Sequence, residues 1–162
     1  MSKSTIWSIV TFAIVVLAII LIIIFVPNNK TNKTNSNNLT AAQKAADATS
    51  IKDSYVTFFA ANTAMSTRAA LLQNGSQFSQ AMQGEFSQLA NEKPSVTLNS
   101  VNVTNPSTAS VNYTVDLNGQ PVLKDQNGSA VKVNGKWLVS DLTLCQLLGM
   151  AGQSPSICKN IH

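Results

Sequence analysis

An uncharged apolar stretch, from Ile6 to Val26, lies near the N-terminus and limits the environment that this part of the chain can occupy. Sixteen of its twenty-one side chains are Ile, Val, Leu or Phe. A helix of this length extends roughly 30 Å, which matches the hydrocarbon core of a bilayer. Such side chains sum to on the order of −5 to −10 kcal/mol of insertion free energy, which predicts a transmembrane helix.

The alternative for such a stretch is a cleaved secretory signal peptide. Signal peptides have an apolar core of about 7–15 residues, followed by a cleavage site with small side chains. Here the core is longer, and it ends in bulky residues from Ile22 to Phe25 and then in Pro27. We therefore expect an uncleaved signal-anchor that binds the lipid bilayer through residues 6–26.

The flanking charges do not decide the orientation, because Lys3 on one side is opposed by Lys30 and Lys33 on the other. A five-residue N-terminal tail is easily retained, and the sequence after the stretch is rich in Asn, Ser and Thr. We predict a single-pass cell-membrane protein with a cytoplasmic N-terminus and an extracytoplasmic C-terminal domain.

The composition divides the chain into three parts. Residues 1–26 contain the transmembrane anchor. Residues 27–39 are rich in Asn, Thr and Lys, and they are predicted to form a flexible linker because they can bury almost nothing. Residues 40–162 are numerous enough to form one domain with its own core.

The charged residues argue against nucleic-acid and metal binding. The formal net charge of +4 comes mostly from scattered lysines, and Arg68 is the only arginine. Nucleic-acid sites use clustered Arg and Lys with aromatic platforms, which this sequence lacks. The single histidine is the last residue, His162, so the two cysteines have no partners at zinc-ligand spacing. We expect no nucleic acid, no metal and no cofactor.

Cys145 and Cys158 are the two cysteines of the chain. A disulfide between them would close a loop of about fourteen residues and stabilise the fold by roughly 3 kcal/mol. It requires that the domain face an oxidising compartment. The alternative is two unpaired thiols, with Cys145 packed against the core.

Three segments after the linker have helical spacing. Thr40 and Gln43 have the spacing of a capping box. The helix that follows has one apolar and aromatic face, formed by Ala48, Ile51, Tyr55, Phe58 and Phe59. A second helix is predicted over residues 65–73. A third has an inward stripe that ends before Pro94 and consists of Phe78, Met82, Phe86 and Leu89.

After Pro94 the apolar residues alternate with polar ones, as in half-buried strands. The first strand has a phase slip near Asn99-Ser100, which is typical of a bulge. The second strand has an apolar face formed by Ala109, Val111, Tyr113, Val115 and Leu117. The third is predicted from Pro121 towards Val133, with an interruption at Asn127-Gly128. Asn134-Gly135 favours a two-residue hairpin that leads into a fourth strand.

Asp141 is predicted to cap a closing helix whose apolar face contains Leu144, Leu147, Leu148 and Ala151. The order is therefore three helices, about four antiparallel strands and a C-terminal helix, which predicts an α+β domain.

Two segments carry a resemblance to known proteins. The segment Lys136-Trp137-Leu138-Val139-Ser140, followed by Leu144-x-x-Leu147-Leu148-x-x-Ala151-Gly152, resembles the C-terminal end of the mycobacterial low-molecular-weight secreted antigen family. The segment Arg68-x-x-Leu71-Leu72-Gln73-Asn74-Gly75, followed by Phe78, is similar to the helix-turn region of related actinobacterial proteins. The resemblance covers about residues 40–152 and implies the cone-shaped fold of nuclear transport factor 2, in which helices cover a curved sheet.

Membrane-anchored cell-envelope proteins associated with lipid importers share the plan of one anchor, a linker and a cone. The chain departs from the secreted antigens because it keeps an anchor and carries Cys145 and Cys158. The resemblance implies no catalytic residues.

Enzymes of this cone fold place a carboxylate or a histidine beside a tyrosine inside the cavity. The candidates here are Tyr55, Tyr113, Asp53 and Asp116. Asp116 alternates with Tyr113 and should lie on the opposite face of the sheet, while Asp53 and Tyr55 fall on different faces of a helix. His162 ends a tail. We therefore expect a protein that is not an enzyme.

Two non-catalytic functions remain. The first is an interaction or scaffold module of the cell envelope that contacts a protein partner through its sheet or terminal helix. The alternative is a carrier or sensor of a small apolar or lipid-like ligand. A carrier would have an open apolar cavity, and an interaction module would fill it. The pocket residues would be Phe58, Phe59, Phe86, Val111, Tyr113, Val115 and Trp137.

Overall fold

The computed structural model describes residues 39–153 and 155–161. Among these residues, no helix combines the length and the apolar composition needed to cross a membrane. The predicted anchor from Ile6 to Val26, and all of the predicted linker except Leu39, lie outside the described residues.

The helices of the described part follow the predicted order. They are α1 (Ala41–Phe59), α2 (Met65–Ala70), α3 (Gly75–Leu89) and α4 (Asp141–Met150), with 3-10 turns at Ala90–Glu92 and Ser156–Asn160.

The start of α1 confirms the predicted capping box. The backbone N–H of Gln43 donates to Thr40 Oγ1 at 3.2 Å, and the backbone N–H of Thr40 donates to Gln43 Oε1 at 2.8 Å. These two bonds satisfy donors that have no partner within the helix. The predicted apolar face is buried, and it includes Ile51, Tyr55, Phe58 and Phe59.

The strands form one antiparallel sheet in the order β1-β2-β3-β4. They are β1 (Ser95–Asn105), β2 (Thr108–Leu117), β3 (Gln120–Val133) and β4 (Lys136–Val139). Asn134 and Gly135 join β3 to β4 with φ angles of 50° and 80°, the left-handed pair that the predicted hairpin turn requires. The described part is therefore an α+β domain with four antiparallel strands, as predicted.

The predicted slip in β1 is confirmed, because its register with β2 shifts between Leu98 and Ser100. The predicted interruption of the third strand at Asn127-Gly128 is wrong, because β3 runs through both residues. The irregularity in β3 lies at Asp125 instead. Its φ is 53°, and the register between β3 and β2 shifts beside it, next to Tyr113.

Packing, rather than a turn, explains why the residue at position 128 of β3 is glycine. A Cβ at this position would lie 2.9 Å from Tyr113 Cε1 and 2.9 Å from Thr143 Oγ1. Both neighbours are completely buried, so the glycine leaves room for two core side chains.

The connection between α2 and α3 covers the outer edge of β4. Val139 donates its N–H to Leu71 O at 2.9 Å, and Gln73 donates its N–H to Val139 O at 3.0 Å. Leu72 thereby forms a parallel bridge with Val139. The bridge explains why α2 ends at Ala70 rather than at the predicted residue 73, since the chain must become extended to make it.

The cap of α4 differs from the prediction by one residue. Ser140 is the N-cap, and its hydroxyl accepts from the backbone N–H of Thr143 at 3.1 Å. Asp141 instead lies in the first turn and accepts from the backbone N–H of Asn74 at 3.0 Å. Its carboxylate therefore joins α4 to the start of α3.

Cys145 and Cys158 form a disulfide, with Cα atoms 5.6 Å apart, which confirms the pairing expected from the sequence. The bond attaches the 3-10 turn Ser156–Asn160 to α4. Ile157 and Ile161 of the same segment pack against the core.

Replacing both cysteines with serine is expected to lower the free energy of unfolding by roughly 3 kcal/mol, because the unfolded chain regains the entropy of an open loop. Urea unfolding of the oxidised chain and the double variant measures this difference. A reductant should lower the stability of the oxidised chain to that of the variant and leave the variant unchanged. Equal stability of the oxidised and reduced chains would contradict the expectation.

Candidate functional site

An apolar pocket lies between α3, α4 and the end of the sheet where β2 turns into β3. It has a volume of about 230 Å³. The sheet contributes the ends of β2 and β3, and the helices contribute one face each of α3 and α4. The lining comprises Phe58, Phe59, Glu85, Phe86, Leu89, Pro94, Val115, Leu117, Val122, Leu123, Leu144, Leu147, Leu148, Met150 and Ala151.

The pocket has exposed apolar side chains and one charge. Val122 and Met150 are each 49% exposed, although both line it. Glu85 is the one charged residue among the described residues of the lining. Apolar surface that stays in contact with water in this way is typical of sites that bind a protein, a membrane or a ligand.

Four of the seven residues predicted for a pocket line it, namely Phe58, Phe59, Phe86 and Val115. Val111, Tyr113 and Trp137 are buried but do not line it. The reason is their place along the strands. Val111 pairs with Gly128, Tyr113 with Gln126 and Trp137 with Lys132, all beyond the pocket on the way to the other end of β3.

Trp137 takes part in a different cluster, at the N-terminal half of α1. Asp47 Oδ1 accepts from Trp137 Nε1 at 2.7 Å and from Lys132 Nζ at 2.8 Å. Burial alone would raise the pKa of Asp47, but the hydrogen bonds from Lys132 and Trp137 and the Lys132 charge outweigh it and leave the pKa below its usual value. This ion pair joins α1 to the sheet.

Two aromatic residues of the pocket are held by a buried arginine. Arg68 is 2% exposed, and its guanidinium donates to the carbonyl oxygens of Phe58 and Ala60 at the end of α1. The guanidinium carbon also lies 3.7 Å from the centre of the Phe86 ring. Arg68 thereby connects the end of α1 to the Phe86 ring of the pocket. Desolvation lowers the pKa of Arg68 from its ordinary value.

Both tyrosines lie in the core behind the pocket. Tyr55 Oη donates to Ser129 O at 2.8 Å and lies 3.3 Å from Thr143 Oγ1. The Tyr113 hydroxyl is buried without a hydrogen-bond partner in the described part of the chain. Burial raises the pKa of Tyr55 above its ordinary value and that of Tyr113 to about 12.

The carboxylates considered for catalysis lie away from these hydroxyls. Asp53 is exposed on α1. Asp116 pairs with Ser95 and Pro121 and alternates with the buried Val115, so it lies on the outer face of the sheet. His162 is outside the described residues. No cluster of three or more His, Cys, Asp or Glu side chains suited to a metal ion occurs in the described ranges.

Several lining residues were not predicted for the pocket. Leu144, Leu147 and Leu148 were predicted to form an apolar helix face, but the sequence did not indicate which surface this face contacts. Leu117 and Leu123 continue the apolar alternation of β2 and β3 and flank the hairpin. That pattern indicates an inward direction, but it does not indicate that the space beside these residues is empty.

We expect alkaline pH to ionise the two tyrosines only as the domain unfolds. Both pKa values are raised above their unfolded value of about 10, so the neutral hydroxyls stabilise the fold fully below pH ~10. That contribution is lost as the pH rises towards about 12, the pKa of Tyr113. Phenolate absorbance and circular dichroism of the full chain should therefore change together.

Tyr113→Phe is the matched control, because among the described residues its hydroxyl has no hydrogen-bond partner to lose. It should keep the fold and remove about half of the absorbance change, since the chain has two tyrosines. Phenolate that forms near pH ~10 without a change in circular dichroism would contradict the burial of these groups.

The fold and the pocket together define a small α+β domain with an open apolar cavity backed by two buried tyrosines. A model of the C-terminal domain of low molecular weight antigen MTB12 matches residues 44–155. The chain belongs to this antigen family. No curated protein matches the sequence.

Proposed function

We propose that this chain is a membrane-anchored protein whose extracytoplasmic domain binds an apolar or lipid-like ligand in the pocket between α3, α4 and the sheet. The observation that supports the binding function is the open apolar cavity of about 230 Å³. An interaction module would be expected to fill this space with its own side chains, so the geometry favours the carrier or sensor alternative.

Ligand binding without catalysis agrees with the groups that face the pocket. Apart from Glu85, the described lining residues carry no charge. Tyr55 and Tyr113, which lie behind the pocket, are protonated at neutral pH as ordinary tyrosines are, and burial raises their pKa values further. Neither Asp53 nor Asp116 adjoins them.

The anchor and the extracytoplasmic location are part of the same proposal. The apolar stretch of residues 6–26 supports the anchor. The disulfide between Cys145 and Cys158 supports an oxidising compartment. Mass spectrometry of the intact protein extracted from membranes tests both points. We expect residues 1–26 to be present and the mass to be that of the oxidised form.

We also propose that the domain adopts the cone of nuclear transport factor 2. Two features support this arrangement. The helices α1, α3 and α4 contribute to a core on the inner face of one antiparallel sheet. Register shifts in both the β1–β2 and β2–β3 pairs allow that sheet to bend around them.

Photolabelling with a matched pair of variants tests the binding function. The full chain is placed in vesicles that contain a fatty acid with a diazirine in its tail. We expect the label on the peptide that contains α4. Val122→Trp should block the mouth and abolish it, whereas Val133→Trp should not. Val133 is 38% exposed and lies on the same strand, but outside the pocket.

Label that is absent from α4, or equal in both variants, would contradict the proposed pocket. Val133→Trp also controls for folding, because both variants place a tryptophan at an exposed position of β3. The unfolding transitions of both variants should match that of the unmodified chain.

A second candidate, the interaction module, is favoured by the edge strand β1. Within the described residues, β1 pairs with β2 on one side and has no strand on the other. A free edge can accept a strand from another protein. A photocrosslinker at Asn102 of β1 should then capture a partner in the membrane, while one at Gln83 of α3 should not.

A further inference from the structure

A polar groove adjoins the apolar pocket on the other side of α3. It lies between α3 and the segment that the disulfide attaches to α4, and its volume is about 570 Å³. The lining comprises Gln77, Gln80, Ala81, Gly84, Glu85, Gln88, Leu148, Gln153, Pro155, Ser156 and Ile157.

The groove and the pocket meet at two residues. Glu85 and Leu148 line both cavities. A molecule with an apolar part in the pocket could therefore extend past the Glu85 side chain into the groove. Because the first cavity is apolar and the second is rich in amides, such a molecule would have an apolar chain and a polar head.

The groove also restricts the chemistry of that head. Gln77, Gln80 and Gln88 are exposed on α3, and each side-chain amide can donate and accept hydrogen bonds. Glu85 adds a carboxylate that only accepts. No lysine or arginine occurs among the described lining residues, so a phosphate head would meet a carboxylate and no balancing cation. Hydroxyl groups both donate and accept, and they suit this surface.

We propose that the ligand of this domain is a neutral amphiphile with a hydroxyl-rich head, such as a glycolipid, whose chain occupies the pocket and whose head occupies the groove. This inference rests on the proposed function of the pocket. The disulfide gives the groove its second wall, because Gln153, Pro155, Ser156 and Ile157 all lie within the loop closed by Cys145 and Cys158.

Two photoreactive lipids that differ only in the head test the inference. Both carry the same diazirine acyl chain. One has a glucosyl head and the other a phosphoglycerol head, and each is mixed at the same fraction into vesicles that contain the full chain. We expect the glucosyl lipid to label α4 at least about fivefold more, since a few net hydrogen bonds produce that ratio.

Variants of α3 identify the residues that bind the head. The double variant Gln77→Leu with Gln80→Leu should reduce labelling by the glucosyl lipid to the level of the phosphoglycerol lipid. Gln83→Leu is the matched control, because Gln83 is exposed on the same helix and lines neither cavity. It should preserve the difference between the two lipids.

The possible results separate this inference from the proposed function. Equal labelling of α4 by both lipids, unaffected by the double variant, would overturn the hydroxyl-rich head and leave apolar binding intact. Absence of label from α4 with either lipid would overturn both.

Discussion

Gly75→Ala is expected to lower the free energy of unfolding by roughly 3–4 kcal/mol, because no side-chain movement can make room for the added methyl group. A Cβ at Gly75 would overlap the carbonyl oxygen of Ala69 and lie 2.6 Å from the carbonyl carbon and 2.7 Å from Cα of that residue. These are backbone atoms of α2. The substitution must therefore push α3 away from α2 or unwind the turn between them.

Gly84→Ala, on the same helix, is the matched control. A Cβ there has no neighbour within 4 Å, so the change should stabilise α3 by about 0.5–1 kcal/mol through helix propensity. Urea unfolding of the two variants should therefore move in opposite directions. A Gly75→Ala variant as stable as the unmodified chain would contradict the close contact between α2 and α3.

Arg68→Ala is expected to cost roughly 3–5 kcal/mol, because it removes two charge-assisted hydrogen bonds and leaves their acceptors buried. Those acceptors are the carbonyl oxygens of Phe58 and Ala60, at the end of α1. A cation at a helix C-terminus is also favoured by the helix dipole. Chemical unfolding of the full chain measures the loss.

Two other variants show which property of Arg68 matters. Arg68→Lys keeps the charge but cannot present the planar fork that reaches two carbonyls, so it should restore only part of the stability. Lys52→Ala removes an exposed cation from α1 and should change stability by less than about 0.5 kcal/mol. If Arg68→Ala lost no more than Lys52→Ala, the bridging role of Arg68 would be refuted.

Most of the sheet could be predicted because its signals are local. The alternation of Ala109, Val111, Tyr113 and Val115 gave the buried face of β2, and Asn134-Gly135 gave the hairpin turn. The error at Asn127-Gly128 has a tertiary cause. A glycine in a strand pattern can mark a turn or a place where neighbouring side chains leave no room for a Cβ. At Gly128 the side chains of Tyr113 and Thr143 leave no such room.

The pocket could be predicted only in part, because its lining depends on contacts between distant segments. Phe58, Phe59 and Phe86 were identified from helical spacing. Trp137 was assigned to the fourth strand, yet it pairs with Lys132 and hydrogen-bonds to Asp47, far along the sheet from Val122. Periodicity gives the face of each element and leaves its partner unspecified.

The cover that Leu71 and Gln73 place over Val139 has a consequence for self-association. It occupies main-chain groups at the outer side of β4 and leaves β1 as the terminal strand of the described sheet whose outer side has no main-chain partner strand. Two copies that joined through β1 would each use that side of their sheet. Growth by pairing of terminal strands would therefore end at a twofold-symmetric pair instead of continuing into a fibre.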